Sequence, residues 1–110
     1  KKEDKVKRDG VYITEVDLDG SVEGVVIKND TDQTVDLSNW RLVSIKGEQE
    51  YIFPGGVTIS PKAEIKVVSG RDAEANPPQE LLWNNSYIWN NSGDPAALYN
   101  SNNELVSKHP

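Results

Sequence analysis

The sequence predicts an all-β domain, a sandwich or a barrel, and three observations support this prediction. Its 110 residues are the length of a single domain. Short clusters of β-branched and aromatic residues recur about every ten positions, with turn residues between them. No segment combines 3.6-residue periodicity with a capping residue and the length of a helix. Residues 1–9 are mostly charged and are predicted to be a flexible linker, followed by one domain at 10–110.

In the first half of the domain, strands are predicted at 11–16, 22–28 and 50–53, and the apolar pattern also continues from 35 to 43. Asp19-Gly20 separates the first two strands. It predicts a tight hairpin turn, because both central positions of such a turn need positive φ. Proline has no N–H to donate, so Pro54 marks the end of the strand before it.

In the second half, strands are predicted at 64–67, 96–99 and 105–107, with a short apolar segment at 57–59 leading to a Pro-containing turn. Two further apolar clusters lie at 81–83 and 87–89. The longest loop spans residues 69–80 and includes Pro77-Pro78. Loops of this length are often functional.

The net charge of −6 is unevenly distributed. The first nine residues hold five basic and three acidic side chains, a net charge of +2, which leaves −8 on the remainder. An acidic body repels the phosphate backbone, so direct DNA binding is not expected. The absence of Cys excludes disulfides, thiolate metal sites and a cysteine nucleophile. No apolar run is long enough to span a bilayer.

No catalytic residue, cofactor site or metal site is predicted. The single His, His109, lies next to the end of the chain, where order is usually poor. Acidic side chains cluster at 17–23 and at 30–36, but neither cluster has EF-hand spacing, and Asp commonly serves turn geometry. Three Asn-x-Ser/Thr sequons, at Asn29, Asn84 and Asn90, are weak signals in a chain so rich in Asn.

Several segments, read in order, carry a resemblance to a known family: Glu15-Val16-Asp17 with Gly20, Ile27-Lys28-Asn29-Asp30-Thr31, Leu37-Ser38-Asn39-Trp40, Tyr51-Ile52-Phe53-Pro54, Pro77-Pro78 with Leu81-Leu82-Trp83, and 90–99. Over residues 10–107 the chain resembles the lamin tail domain, a family of immunoglobulin-like sandwiches. Ser38 stands where the family has Gly. Arg41-Leu42 stands where animal nuclear lamins often have a Lys-Arg pair.

The resemblance implies an immunoglobulin-like β-sandwich of two antiparallel sheets. It also implies the globular tail of a nuclear lamin or intermediate-filament protein, whose parent chain is a coiled-coil dimer. Such a tail would dock proteins of the nuclear envelope, chromatin or filament, at the nuclear lamina. The candidate partner-binding residues are Arg41, Lys66, Leu82 and Trp83. Three alternatives stay open: a cytoplasmic filament protein, a secreted or surface bacterial binding module, and an accessory domain of a nuclease or hydrolase.

The predicted core consists of apolar residues from every strand: Val11, Ile13, Val16, Ile27, Leu37, Trp40, Leu42, Phe53, Ile65, Val67, Leu98 and Val106. Trp40 is the largest of them. We expect Trp83 and Trp89 to pack in the core as well, although an exposed aromatic patch at these two is an alternative.

Replacing Trp40 with Ala is predicted to destabilise the domain by about 3–5 kcal/mol, because truncating a buried large aromatic leaves a cavity. The variant should be unfolded or aggregated at body temperature. Thermal melting followed by circular dichroism measures the loss. A melting temperature within a degree or two of the parent domain would contradict the prediction.

Overall fold

The computed structural model describes residues 10–18, 20–89 and 94–109. The predicted linker at 1–9, Asp19 of the predicted hairpin turn and the sequon at Asn90 lie outside the described residues. The described part contains strands and turns but no helix. Its strands are β1 (Val11–Asp17), β2 (Glu23–Asn29), β3 (Val35–Asp36), β4 (Arg41–Ser44), β5 (Gln49–Ile52), β6 (Thr58–Ile59), β7 (Glu64–Ser69), β8 (Glu80–Asn84), β9 (Ala96–Tyr99) and β10 (Leu105–His109).

Two four-stranded sheets form the sandwich. The first sheet has the order β1-β2-β7-β8 and the second the order β10-β9-β4-β5, while β3 and β6 pair separately. The strands β1 and β2 form the predicted antiparallel pair, but their connection is longer than the tight turn predicted at Asp19-Gly20, because the pairing ends with Asp17 opposite Gly24. Gly20 in this connection has a positive φ of 75°. The predicted all-β sandwich class is therefore confirmed.

One pairing differs from the antiparallel arrangement expected of both sheets. β8 runs parallel to β7, with Val67 opposite Leu81. Parallel neighbours need a crossover connection, and residues 70–79 provide it. The long loop predicted at 69–80 is this crossover, and the cluster at 81–83 is the strand that it leads to.

The core lies between the two sheets, because alternate residues of each strand point inward. Eleven of the twelve predicted core residues are buried; Val16 is partly exposed and packs against the cluster. Trp40 is 5% exposed, and Phe53 and Leu42 are fully buried. Each such side chain contributes roughly 1.5–3 kcal/mol through removal of its apolar surface from water. Val25, Ile59, Ile88, Trp89 and Ala96 join the same cluster.

Asn29 fastens the end of β2 to two other segments. Its side chain is fully buried, and its Nδ2 donates to the carbonyls of Gln33, Ile59 and Ser60 at 2.7, 3.0 and 3.2 Å. Its Oδ1 accepts from the N–H and the hydroxyl of Thr31 at 3.0 and 2.7 Å. This bonding explains why Asn, followed two positions later by Thr, stands here. It also leaves no accessible nitrogen for glycosylation of the first sequon in the folded domain.

The segment before β4 is a tight corner that inserts Trp40 into the core. Asn39 has a positive φ of 67°, and its N–H donates to the carbonyl of Phe53 at 3.0 Å. Ser38 stabilises the corner through its hydroxyl, which donates to Asp36 Oδ1 at 2.6 Å and accepts from the N–H of Gly56 at 2.8 Å. Ser at this position therefore adds a side-chain tether that Gly could not provide.

We predict that Gly70→Ala destabilises the domain by roughly 1–3 kcal/mol, because backbone strain and close contacts are among the larger mutational effects. Gly70 has φ of 112°, and a Cβ there would clash with the carbonyl oxygen of Ser21. Gly55→Ala is the matched control, since nothing lies within 4 Å of its Cβ position. Urea unfolding of both variants makes the comparison. Equal midpoints for the two would contradict the prediction.

Candidate docking surfaces

Arg41 lies on the outer face of β4 and is held by three neighbours. Its Nη1 is 2.8 Å from Glu50 Oε1 on β5, and its Nη2 donates to Asn103 Oδ1. Its guanidinium lies 4.6 Å from the ring centroid of Tyr99 on β9. Arg41 therefore ties β4, β5 and β9 together on the outer face, and its charge is balanced by Glu50.

The outer face of the second sheet is mostly apolar. The register places two rows of outward side chains across the strands, namely Leu105, Tyr99, Arg41 and Ile52, then Lys108, Ala97, Val43 and Glu50. Ile52 is 53% exposed, and Ile45, which follows β4, is 39% exposed. Exposed large apolar side chains that share one face are typical of contact surfaces.

Lys66 lies on the outer face of the first sheet, on the other side of the sandwich from Arg41. Its aliphatic chain crosses Gly24 on β2 so closely that a Cβ there would collide with Lys66 Cε. The same row contains Glu15, Val26 and Glu80. This face is more charged than the outer face of the second sheet, and its charges alternate in sign.

Leu82 and Trp83 point to opposite faces of β8, because successive side chains of a strand alternate. Leu82 pairs with Val68 on the outer face. Trp83 turns toward the other sheet and lies 5.9 Å from Tyr51 and 5.8 Å from Trp89, measured between ring centroids. Tyr51 in turn meets Phe53 edge-on at 5.1 Å.

These rings form an aromatic chain along the side of the sandwich where β5 and β8 are the edge strands. Trp89 is buried as predicted, whereas Trp83 is partly exposed and packs against the core. Tyr51 was not among the predicted core or partner-binding residues. The signal was available, because Tyr51 and Phe53 are two positions apart and must share one face of a strand.

The four candidate residues thus belong to different surfaces. Arg41 lies on the outer face of the second sheet, Lys66 and Leu82 lie on that of the first, and Trp83 lies between β5 and β8. Two shallow grooves, of about 160 and 200 Å³, flank Pro78 where the crossover passes β6. Their lining is mostly apolar and uncharged, with Glu64 as the one charged residue.

Buried polar side chains fasten loops to the sandwich. Glu23 Oε1 accepts from Ser69 Oγ at 3.0 Å and from the backbone N–H of Ile88 at 2.8 Å. Asp94 accepts from Ser44 Oγ at 2.6 Å and from the backbone N–H of Lys46 at 2.9 Å. In the described part of the chain, every buried side-chain nitrogen or oxygen has a hydrogen-bond partner. These groups are therefore committed to structure.

Acidic side chains on the surface serve turns in the same way. The hydroxyl and the N–H of Ser38 both donate to the Asp36 carboxylate, and they hold the pKa of Asp36 below its usual value. Across residues 10–18, 20–89 and 94–109, no three His, Asp or Glu side chains come together as metal ligands. That same part of the chain holds no helix long and apolar enough to cross a membrane.

Tyr51 gives the domain a predicted alkaline dependence of stability. Burial raises the pKa of Tyr51 above its usual value of 10. The unfolded chain therefore releases this proton at a lower pH than the folded domain. The contribution of protonated Tyr51 to the free energy of unfolding is fully present below about pH 10. It is lost as the pH rises through the higher pKa of the folded state.

Melting temperatures measured between pH 8 and 11 test this dependence. Tyr51→Phe should show a shallower decline above about pH 10 than the parent domain, because Phe cannot ionise. Tyr87→Phe makes the same chemical change at a side chain that is 54% exposed and is the matched control. Equal slopes for Tyr51→Phe and the parent would contradict the prediction.

The chain matches a model of a known protein family. The model of the lamin tail domain family matches residues 6–110, nearly the whole chain. This is a family of structural immunoglobulin-like domains rather than of enzymes. The match agrees with the β-sandwich and with the motif residues whose structural roles were described above. The chain therefore belongs to the lamin tail domain family.

Proposed function

We propose that this domain is the globular tail of a lamin or intermediate-filament structural protein, and that it docks partner proteins without performing chemistry. The observation that carries the proposal is the match to the lamin tail domain family over residues 6–110. The buried polar side chains, Glu23, Asn29, Ser44 and Asp94 among them, bond to loops and strands of the domain itself. An active site needs an acid, base or nucleophile that is free to meet a substrate, and these buried groups are instead bonded within the domain.

Surface recognition fits a rigid sandwich of this kind. The strands present Arg41, Lys66, Leu82 and Trp83 in fixed positions, and these residues stay our candidates for partner contact. They lie on three surfaces, so the domain has the geometry to hold more than one partner. The proposed partners are proteins of the nuclear envelope, of chromatin or of the filament, at the nuclear lamina, with a coiled-coil dimer as the parent chain.

Direct binding to DNA is not part of the proposal. The net charge is −6, and the position after Trp40 that often carries a Lys-Arg pair in animal lamins holds Arg41-Leu42. Leu42 is fully buried, and Arg41 is paired with Glu50. A contact with chromatin would therefore run through its proteins, because affinity for duplex DNA depends on basic side chains that release counterions.

That missing basic pair also favours a second candidate. A secreted or surface binding module of a bacterium, or an accessory domain beside a nuclease or hydrolase, has no need of a basic face toward chromatin. In either setting, this domain would again act by docking, and the chemistry would belong to another part of the parent chain.

The coding sequence on both sides of this segment and the location of the full-length protein separate these candidates. A preceding rod of heptads, with the tagged full-length protein at the nuclear rim and filaments in electron micrographs, is the expected result. Deleting the domain should leave filament assembly intact and release the docked partners. A secretory signal peptide or an enzyme domain upstream would refute the filament role and support the second candidate.

A further inference from the structure

The edges of the two sheets are protected on one side of the sandwich. β1 and β10 are edge strands that lie against each other, and the N–H of Ile13 donates to Ser107 Oγ at 3.0 Å. The register of β1 shifts between Ile13 and Glu15, and that of β10 shifts between Leu105 and Ser107. Bulges and side-chain caps are devices that stop additional strands from pairing with an edge.

The edge of β8 is partly covered as well. Asn76 and Glu80 exchange two backbone hydrogen bonds, at 2.9 and 3.0 Å, so the crossover loop closes the start of this strand. Asn85, just past its end, donates to the carbonyls of Gly70 and Ala73 at 3.1 and 2.9 Å. Both ends of β8 are thereby tied to the loop that precedes it.

β5 differs from these edges. It pairs with β4 through four residues in regular register, and no described residue pairs with its other edge. Phe53 donates to the carbonyl of Trp40 at 2.8 Å, so the alternation of an antiparallel pair turns the N–H and C=O of Tyr51 toward β4. The same alternation turns those of Glu50 and Ile52 outward, where they are available to another strand.

The side chains around this edge indicate which kind of ligand it would bind. Ile52 offers an apolar contact on the outer face, and Tyr51 with Trp83 offers aromatic rings on the other face. Glu48, which directly precedes β5, adds negative charge within a domain whose net charge is −6, whereas the charge of Glu50 is balanced by Arg41. A second copy of this chain fits less well, because each copy carries a net charge of −6 and two such domains repel each other.

We propose that the free edge of β5 binds an extended, basic peptide segment of a partner protein as a fifth strand of the second sheet. Backbone hydrogen bonds to Glu50 and Ile52 provide the attachment. An apolar residue of the peptide packs beside Ile52, one Lys or Arg faces Glu48, and another contacts the partly exposed rings of Tyr51 and Trp83. This assignment rests on the proposed docking function and specifies its surface and its ligand.

Titration of the labelled domain with a synthetic ten-residue peptide of alternating Lys and Val tests the proposal. Amide chemical shifts in nuclear magnetic resonance spectra should change most at residues 48–52. The same peptide with N-methyl groups on alternate backbone nitrogens should bind at least tenfold more weakly, because it lacks the donors that a strand pairing needs. A peptide of alternating Glu and Val should not bind.

Variants of the domain provide the matching test. Glu48→Lys should weaken binding about fivefold, the upper range for one exposed ion pair, whereas Glu64→Lys on β7 makes the same charge change far from β5 and should leave the affinity unchanged. Ile52→Pro removes the outward N–H at an edge position where proline is tolerated, and it should abolish binding. If that variant does not fold, the N-methylated peptide still tests the same hydrogen bonds.

Three results would overturn the proposal: equal affinity of the methylated and unmodified peptides, shift changes centred on the outer face around Lys66, or concentration-dependent dimers through β5 in sedimentation. The proposed function fails separately. If the full-length protein is at the nuclear rim and keeps its partners although the peptide does not bind, the docking function is supported and must use a surface other than the edge of β5. If the peptide binds but the parent chain is secreted, the peptide site at β5 is supported and the filament role is refuted.

Discussion

Apolar side chains packed between two sheets are the interaction on which the rest of this domain depends. Neither four-stranded sheet could bury Ile27, Leu42 or Phe53 alone, so each face is stable only while the other covers it. Because alternate residues of a strand face the core, the need for cover explains why apolar residues recur at every second position of the strands. It also leaves the loops with little apolar surface of their own, so their positions must be determined by other interactions.

Buried hydrogen bonds supply those interactions. An unpaired buried carboxylate or amide costs several times what a paired one contributes, so a loop anchored by such a group has one favourable position. Asn29 fixes the loop after β2, Glu23 fixes the segment at Ile88, and Asp94 fixes the turn after β4. The same bonds give these buried carboxylates and amides a structural role.

Much of the fold could be predicted from the sequence, because alternation and turn chemistry are local signals. The pairing of β1 with β2, the burial of Trp40 and the strand positions followed from residues close together in the chain. The parallel pairing of β8 could not be predicted, since Leu81-Leu82-Trp83 reads the same in either direction. The candidate site was less accessible still. Whether Arg41 and Lys66 share a surface depends on which strands neighbour each other, and that is decided by long-range packing.

The uneven protection of the sheet edges follows from the same physics. A sandwich of two open sheets has four edges, and each exposes backbone groups that attract other strands. Bulges and Ser107 seal the side of β1 and β10, at the cost of regular pairing there. Regular pairing is retained at β5, where the net negative charge of the domain rather than distortion discourages self-association. A bulge excludes every incoming strand, whereas charge excludes some strands and admits others. A docking surface needs this kind of selection.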